Sequence, residues 1–282
     1  MKLRQIFLSI ILCGLFLGAA ISASQSAIIT PTETIKLFNG KDLTNFYTWL
    51  VDKHFDDPER VFSVVDNVDG APAIRVSGER WGAFITKNRY ANYRLIVEFR
   101  WGLLTWDKRR AAAKDSGILL HGQGSEGNMQ KDFNAPWMRS IECQIIEGGV
   151  GDILLLNGYE PDGTMVKTTM TAPIRKDRDG ETVYDASGTP TDLIGQIRIN
   201  WFGRDEDWAD KIGFRGKADV ESAAGKWTTL EVICDGGNIT NMVNGKVVAA
   251  GTKSNLSDGK LLFQSEGAEI FFRRIDLEPL QK

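Results

Sequence analysis

The chain has 282 residues and a formal net charge of −3, and 42% of its residues are hydrophobic and 25% charged. This balance is that of an ordinary globular protein and excludes collagen, a coiled coil and a chain that is disordered throughout. The slightly acidic charge argues against a dedicated nucleic-acid-binding protein, because neutralising phosphates requires a basic surface.

The N-terminus has the pattern of a secretory signal peptide. Lys2 and Arg4 precede an apolar run over residues 6–21, which small residues then follow. We therefore expect a signal peptide at 1–24, a short N-terminal segment at 25–34, and a mature protein that is secreted or periplasmic. A retained membrane anchor is the alternative interpretation. Because no later run is long enough to cross a bilayer, we expect no membrane span once the signal is removed.

The rest of the chain predicts many short β-strands in one all-β domain. Residues 93–101 are the clearest case, because apolar side chains alternate there with mostly charged ones. The predicted strands are 61–65, 73–76, 81–86, 93–101, 116–121, 140–146, 151–156, 227–234, 238–243, 246–250, 260–264 and 269–277. One short helix is predicted at 106–114, and two long loops at 122–136 and 168–194. This pattern is typical of a β-sandwich or jelly roll.

The strand predicted at 140–146 carries the strongest candidates for a functional site. Alternation places Glu142 and Gln144 on one face and leaves the opposite face apolar. The residues of that apolar core face are Ile141, Cys143 and Ile145. A carboxyl and an amide then point out of the sandwich, where a ligand can bind. A strand whose solvent face happens to be polar is the simpler interpretation.

The spacing of Glu142, Gln144 and Glu147 is similar to the signature of retaining β-glucanases with a jelly-roll fold. In those enzymes two carboxylates about 5–5.5 Å apart act as nucleophile and acid/base. Here Gln144 stands where that signature has an acid, and Glu147 falls on the opposite face unless a bulge redirects it.

Three further side chains near this strand are candidates. His121 ends a predicted strand and opens a long polar loop, where it could transfer a proton or bind a sugar. Arg139 could stabilise an oxyanion, and Trp137 could stack on a sugar ring. A structural histidine, a surface arginine and a core tryptophan are the simpler interpretations of these residues.

Cysteine and histidine are too few for a zinc site built from these two residue types. After signal removal only Cys143 and Cys234 remain, and histidine occurs only at His54 and His121. A disulfide between the two cysteines and a pair of buried free thiols both stay open. The chain has no P-loop, GxGxxG or GxSxG motif, so we expect no nucleotide cofactor.

A series of short motifs follows one another along the mature chain, each occurring once. In sequence these are LFNGKDL at 37–43, YRLIVEFR at 93–100, DSGI at 115–118, ECQII at 142–146, WTTLEV at 227–232, VNG at 243–245, QSEG at 264–267 and FRRI at 272–275. Their order over residues 35–280 resembles the 3-keto-disaccharide hydrolase domain family. The resemblance implies a concanavalin-like jelly roll over that range.

The resemblance also implies a reaction. Its substrates would be glycosides whose C3 a separate sugar 3-dehydrogenase has already oxidised. The C3 ketone acidifies the proton on C2, so a base can remove it, the enolate expels the C1 substituent, and water adds to the unsaturated sugar. Such a site needs a base with a tuned pKa, an electrophile near the C3 oxygen and an acid for the leaving group.

Roles follow from that implied chemistry. We expect Glu142 to act as base or acid, with His121 and Arg139 as candidates for proton transfer and enolate stabilisation. Gln144, Trp137 and Glu147 are the expected carbohydrate-binding residues. Asp115 and Glu266 are candidates for orienting a group or binding a cation. A divalent metal such as calcium is the alternative to Arg139 as electrophile.

Two other classes of function remain open. An ordinary retaining β-glycosidase would use Glu142 and Glu147 on unoxidised β-glucans. A noncatalytic carbohydrate-binding module would bind sugars through an aromatic platform without cleaving them.

Overall fold

The computed structural model describes residues 27–281, so the signal peptide predicted at 1–24 lies outside the described residues. The described chain is built almost entirely from strands. In chain order they are β1 (Ile28–Ile29), β2 (Ile35–Lys36), β3 (Phe46–Leu50), β4 (Phe62–Val68), β5 (Ala71–Val76), β6 (Gly82–Thr86), β7 (Arg89–Tyr90), β8 (Tyr93–Thr105), β9 (Asp115–Gln123), β10 (Arg139–Ile146), β11 (Ile153–Leu156), β12 (Gly158–Tyr159), β13 (Met165–Val166), β14 (Thr169–Lys176), β15 (Thr182–Tyr184), β16 (Thr189–Ile194), β17 (Ile197–Ile199), β18 (Thr228–Asp235), β19 (Asn238–Val243), β20 (Lys246–Gly251), β21 (Lys260–Ser265) and β22 (Ala268–Pro279).

Two large antiparallel sheets form the predicted jelly-roll sandwich. The seven-stranded sheet has the order β17-β11-β10-β9-β21-β6-β3, and the eight-stranded sheet has the order β20-β19-β18-β8-β22-β5-β4 with β2 paired to β22. Neighbours in each sheet are distant in sequence, as in β9–β21 and β8–β22, which is the mark of crossover connections between sheets. The all-β prediction is confirmed.

The core lies between the two sheets and follows the predicted alternation. The apolar residues of β8, from Tyr93 to Trp101 at every second position, all contribute to it. Ile141, Cys143 and Ile145 of β10 do the same from the seven-stranded sheet. Cys143 and Cys234 are both buried and free, so the disulfide alternative is not realised in this structure.

Two predicted elements differ from the structure. Residues 168–194 are not a long loop but mostly the three-stranded sheet β15-β14-β16. Met170, Ala172 and Leu193 of this small sheet pack on the core, while its charged residues face outward and mask the pattern in the sequence. The predicted helix is reduced to one 3-10 turn at Asp107–Arg110.

A smaller apolar cluster covers part of the outer face of the seven-stranded sheet. The chain from Gly124 to Met138 folds back over this face, and Trp49 Nε1 donates a hydrogen bond to the Ala135 carbonyl at 2.9 Å. The cluster takes residues from β3, β6, β21, β9 and β11. Across the described range 27–281, none of the helices is long and apolar enough to cross a bilayer.

Candidate functional site

The outer face of β10 carries Glu142 and Gln144, as the alternation predicts. Both side chains are buried, and both lie on the face opposite the core residues Ile141 and Cys143. In the neighbouring β9, Leu119 pairs with Glu142 and Gly117 pairs with Gln144. On the far side of β9, Gln264 of β21 lies over Gly117 together with Glu142. These three strands therefore bring one carboxyl and two amides together.

Asp115 and Glu266 lie at the edge of the same group and share one arginine. Arg109, from the 3-10 turn, donates to Glu266 Oε1 at 3.1 Å and forms an ion pair with Asp115. Gln144 Nε2 donates to the other oxygen of Asp115 at 2.9 Å. We call Asp115, Glu142 and Glu266 the carboxyl cluster; all three are buried, and Arg109 is buried with them.

Burial raises the pKa values of all three carboxyls, and repulsion by a neighbouring carboxylate adds to the rise for Glu142 and Asp115. The pKa of Glu142 rises to about 8, chiefly because burial penalises the charged form and also because Glu266 is close. Burial raises the pKa of Asp115 well above its usual range, with Glu266 adding to the rise and Arg109 opposing it. Burial likewise raises the pKa of Glu266 against the attraction of Arg109. The cluster can therefore hold protons at neutral pH and exchange them.

Arg198 supplies a second cation on the other side of the cluster. It lies on β17 in the row that runs through Leu154 to Glu142, and Asp152 accepts a hydrogen bond from its Nη1 at 3.0 Å. Asp152, Glu142 and Asp115 hold the pKa of Arg198 above its usual value although burial opposes this. Its side chain is still 33% exposed.

The two glutamines present unused hydrogen-bonding atoms. Both amide atoms of Gln264 and the Oε1 atom of Gln144 are buried without a partner. A buried polar atom without a partner costs free energy, and such atoms in a native protein mark a place for a ligand or water. The site therefore offers donors and acceptors suited to sugar hydroxyl groups.

Two tryptophans stand beside the cluster. Trp137 crosses the sheet so that its Nε1 donates to the Gly82 carbonyl at 3.1 Å, and Gly82 pairs with Ser265, the residue between Gln264 and Glu266. Its ring stacks on Trp81 with centroids 5.7 Å apart. Both rings are partly exposed. Aromatic faces next to amides and carboxyls are suited to binding an apolar ring face with polar edges, such as a sugar.

Three predicted site residues lie away from the cluster. His121 has a left-handed backbone (φ 56°) at a β-bulge, and its ring turns into the core against Tyr93, with ring centroids 5.7 Å apart. Arg139 lies at the opposite end of β10 from the cluster and donates to the Lys167 carbonyl at 3.0 Å. Glu147 leaves β10 at its end, where its carboxylate accepts bonds from the backbone N–H groups of Lys114 and Gly213.

The positions of His121 and Glu147 differ from those that the sequence predicts for residues of the carbohydrate site. Burial lowers the pKa of His121 to about 4, so the ring is neutral in the core. Glu142 and Glu147 are five residues apart along the chain, roughly 16 Å in extended geometry, and point in different directions. The structure therefore does not bring them together as a retaining pair, for which about 5–5.5 Å is needed.

The predicted cation-binding pair Asp115 and Glu266 does hold a cation, namely the guanidinium of Arg109. Within residues 27–281 no group of three or more His, Cys, Asp or Glu side chains is arranged to hold a metal ion. The donor set around this pair thus fits an internal ion-pair network better than a calcium site, which takes six to eight oxygens.

Arg109, Arg198 and Gln264 are site residues that the sequence analysis did not identify. Arg109 lies in a segment predicted as helix, and Arg198 lies on a three-residue strand outside every predicted element. Gln264 could have been found from the sequence. It lies two residues after Leu262 and therefore on the same outer face of a predicted strand, just as Gln144 lies two residues after Glu142.

Comparisons with known proteins identify the family of this chain. A family model described as the 3-keto-alpha-glucoside-1,2-lyase-like domain matches residues 33–278. A candidate glycosyl hydrolase from Parabacteroides distasonis is 17% identical, with 88% of this chain and 94% of that chain covered and a TM-score of 0.48. The carbohydrate-binding module CBM66 from Bacillus subtilis is 9% identical, with 83% and 96% covered and a TM-score of 0.40. A Bacillus licheniformis β-glucanase is 10% identical, with 91% and 96% covered and a TM-score of 0.38. No curated protein matches the chain.

Proposed function

This chain belongs to the 3-keto-alpha-glucoside-1,2-lyase-like domain family, and from that premise we propose that it cleaves the glycosidic bonds of 3-keto-glycosides. Membership makes it a carbohydrate-processing or carbohydrate-binding protein of jelly-roll fold. The finer proposal is elimination across C1 and C2 followed by hydration, at the site around the carboxyl cluster.

The observation that carries the proposal is the environment of Glu142. A carboxyl whose pKa burial raises to about 8 is a stronger base than an ordinary glutamate and still ionises near neutral pH. Removing the proton from C2 of a 3-keto sugar needs such a base, because that carbon acid is weak. The proton that Glu142 takes is then available to the oxygen of the leaving group.

Arg198 is the group we assign to the developing oxyanion. As the proton leaves C2, negative charge moves onto the C3 oxygen, and a fixed cation nearby lowers the energy of that state. Arg198 is close enough to Glu142 to attract its charge, and its side chain is partly exposed. It takes the role that the sequence analysis gave to Arg139.

The remaining groups bind and orient the sugar. The unpartnered amide atoms of Gln144 and Gln264 can pair with hydroxyl groups, and the partly exposed Trp81–Trp137 pair can contact the sugar ring. Asp115 holds Gln144 in place through the 2.9 Å hydrogen bond from its Nε2. After the C1–O bond breaks, water adds across the C1–C2 double bond, so the products are an alcohol and a free 3-keto sugar.

The ketone must be made by another enzyme, because this reaction neither oxidises nor reduces the sugar overall. We therefore propose that a sugar 3-dehydrogenase acts before this protein. If residues 1–24 direct export, cleavage takes place outside the cytoplasm.

The test is product analysis by NMR with the mature protein. C3-oxidised glucosides and their unoxidised parents are incubated with the wild type, with Glu142→Gln, and with Glu278→Gln as a control. Glu278 is a carboxyl on the other sheet, paired with Arg94. We expect cleavage of the oxidised set only, a loss of at least about 100-fold in Glu142→Gln, and no change in the control.

Other outcomes would replace the proposal. Full turnover by Glu142→Gln would refute the role of Glu142, and cleavage of the unoxidised parents would favour an ordinary glycosidase. Binding of sugars without turnover of either set would favour the carbohydrate-binding module, for which the Trp81–Trp137 pair is the supporting observation. A parallel incubation with chelator detects any dependence on a divalent metal.

A further inference from the structure

We propose that the open end of the sandwich contains a second ligand site, which binds a neutral aromatic alcohol. A cavity of about 720 Å³ lies there between the ends of β8, β10 and β22 and the chain from Gly213 to Lys226. This volume is in the range of sites for small organic ligands. The site is independent of the proposed function.

The walls of this cavity are mainly apolar. Trp101, Leu103 and Phe271 line it on one side, and Ala223 and Ala224 on the other. Leu103 is 92% exposed at the surface, an unusual position for a leucine at the end of a central strand. An apolar ring can therefore displace water from leucine, phenylalanine and indole surfaces together.

Three buried polar atoms of the residues that line the cavity lack a hydrogen bond, namely Arg100 Nε, Trp101 Nε1 and Glu221 Oε2. Glu221 Oε2 lies 3.3 Å from Arg215 Nη1 in an ion pair that does not reach hydrogen-bond geometry. The indole lies near enough to Glu221 to oppose the rise in its pKa, yet the two groups do not complete a hydrogen bond. One hydroxyl group can accept a bond from the indole N–H and donate one to the carboxyl oxygen, which satisfies both atoms.

Most of the charged side chains around the cavity already have partners, which favours a neutral ligand over an ion. Glu269 pairs with Arg75, and Arg100 pairs with Asp69. Arg215 lies 3.3 Å from Glu221, and burial raises the pKa of Glu221 to about 8. Lys114 Nζ donates to the Gly102 carbonyl at 2.7 Å, and Lys226 is exposed. A charged group beside Glu221 would have to break its pair with Arg215 to find a partner of its own.

The cavity is separate from the carboxyl cluster. Lys114 lines the cavity and Asp115 belongs to the cluster, so the beginning of β9 divides the two sites. Glu147, which the sequence analysis placed in the carbohydrate site, lines this cavity instead. Its carboxylate is already bonded to two backbone N–H groups, so it shapes the wall and leaves recognition to Trp101 and Glu221.

The test compares two ligands that differ only in the hydroxyl hydrogen. The mature protein is titrated by NMR at pH 7 with 2-naphthol and with 2-methoxynaphthalene. We expect saturable binding of naphthol and about three- to tenfold weaker binding of the ether, which is the effect of one lost hydrogen bond. Equal affinities, or no saturable binding of naphthol, would overturn the proposal without any need for a variant.

Two matched variants locate the site. Trp101→Phe keeps an aromatic ring and removes the N–H, so naphthol should bind about three- to tenfold more weakly. Trp49→Phe removes a buried indole N–H elsewhere, where its partner is Ala135, and should leave naphthol affinity unchanged. Equal affinity in Trp101→Phe and the wild type, or an equal loss in both variants, would overturn the assignment of this cavity.

Discussion

Gly117 lies directly beneath the carboxyl group of Glu142. A Cβ atom built on Gly117 would stand 2.4 Å from Glu142 Oε1 and 2.5 Å from Gln264 Oε1, both closer than real Cβ contacts. The two oxygens therefore share the space above one glycine. In the neutral form Glu142 can donate to the free Gln264 oxygen, which explains how a buried carboxyl is accommodated between β9, β10 and β21.

Gly117→Ala should lower turnover in a protein that still folds. The methyl group displaces Glu142 and Gln264, and a shift of about 1 Å in a reacting group lowers turnover on the order of 100-fold. The control is Gly251→Ala, which crowds Met170 Sδ in the small sheet and should destabilise the protein without changing turnover. Kinetics on a 3-keto-glucoside with urea denaturation of both variants would check this. Unchanged turnover in Gly117→Ala would contradict the position we give Glu142.

The pH dependence should report the ionisation of Glu142. With a pKa of about 8, Glu142 is mostly protonated at pH 7. Because a general base must be ionised to act, kcat/KM of the enzyme should rise with pH and level off above pH 8. Arg198→Gln removes a cation that lowers this pKa, so the rise should move to higher pH. A profile that falls across pH 8 would make Glu142 the acid, and a flat profile would exclude it from the rate-determining proton transfer.

Removing Arg109 should destabilise the fold through the two carboxyls that it bridges. In Arg109→Met, Asp115 and Glu266 remain buried together without their cation, at a cost of about 3–5 kcal/mol in the free energy of unfolding at pH 8. The loss should be smaller at pH 5, because the raised pKa values of Asp115 and Glu266 favour their neutral forms as the pH falls. Urea denaturation at the two pH values measures it. Arg178→Met, at an exposed arginine paired with Asp179 and Asp207, should leave the free energy of unfolding nearly unchanged.

His121 should affect stability rather than catalysis. Its folded pKa, about 4, lies below the usual 6.5, so the unfolded chain binds the extra proton first as the pH falls. The stabilisation is complete above pH 6.5 and is lost towards pH 4, on the order of 3 kcal/mol.

The comparison variant is His121→Asn, since asparagine tolerates the left-handed backbone. Between pH 6.5 and 4 its melting temperature should fall less than that of the wild type. The shape of its pH–activity profile should match that of the wild type. A changed shape would indicate that His121 takes part in the reaction.

The strands were predictable because the residues that form them face one core. In β8 the apolar side chains from Tyr93 to Trp101 alternate without interruption, and the sandwich buries all of them. The three-stranded sheet of residues 169–194 was missed because its buried side chains are few, with Met170 and Ala172 set between threonines and a proline and followed by a charged stretch. A period of two is hard to detect when only one or two residues of a strand are buried.

The site was predictable only where it followed the alternation of one strand. Glu142 and Gln144 are on the expected face, and Asp115, Glu266 and Trp137 lie nearby. His121 was misplaced because a bulge at a left-handed residue turns its side chain from the outer face to the core, and a bulge has no clear signature in one sequence. Arg198 comes from a distant segment that only the folded chain brings to the carboxyls, and Arg109, six residues before Asp115, lies in a turn that the sequence predicts as a helix.

The two free thiols have a further consequence, because they lie on opposite sheets and project into the same core. Cys143 is on β10 and Cys234 on β18, both fully buried, and burial raises the pKa of Cys234 to about 12. An alkylating reagent, which attacks thiolates, can reach either sulfur only when the sandwich opens. Peptide mapping of each cysteine after brief labelling would thus time the separation of the two sheets, and equal rates would mean that they part in a single event.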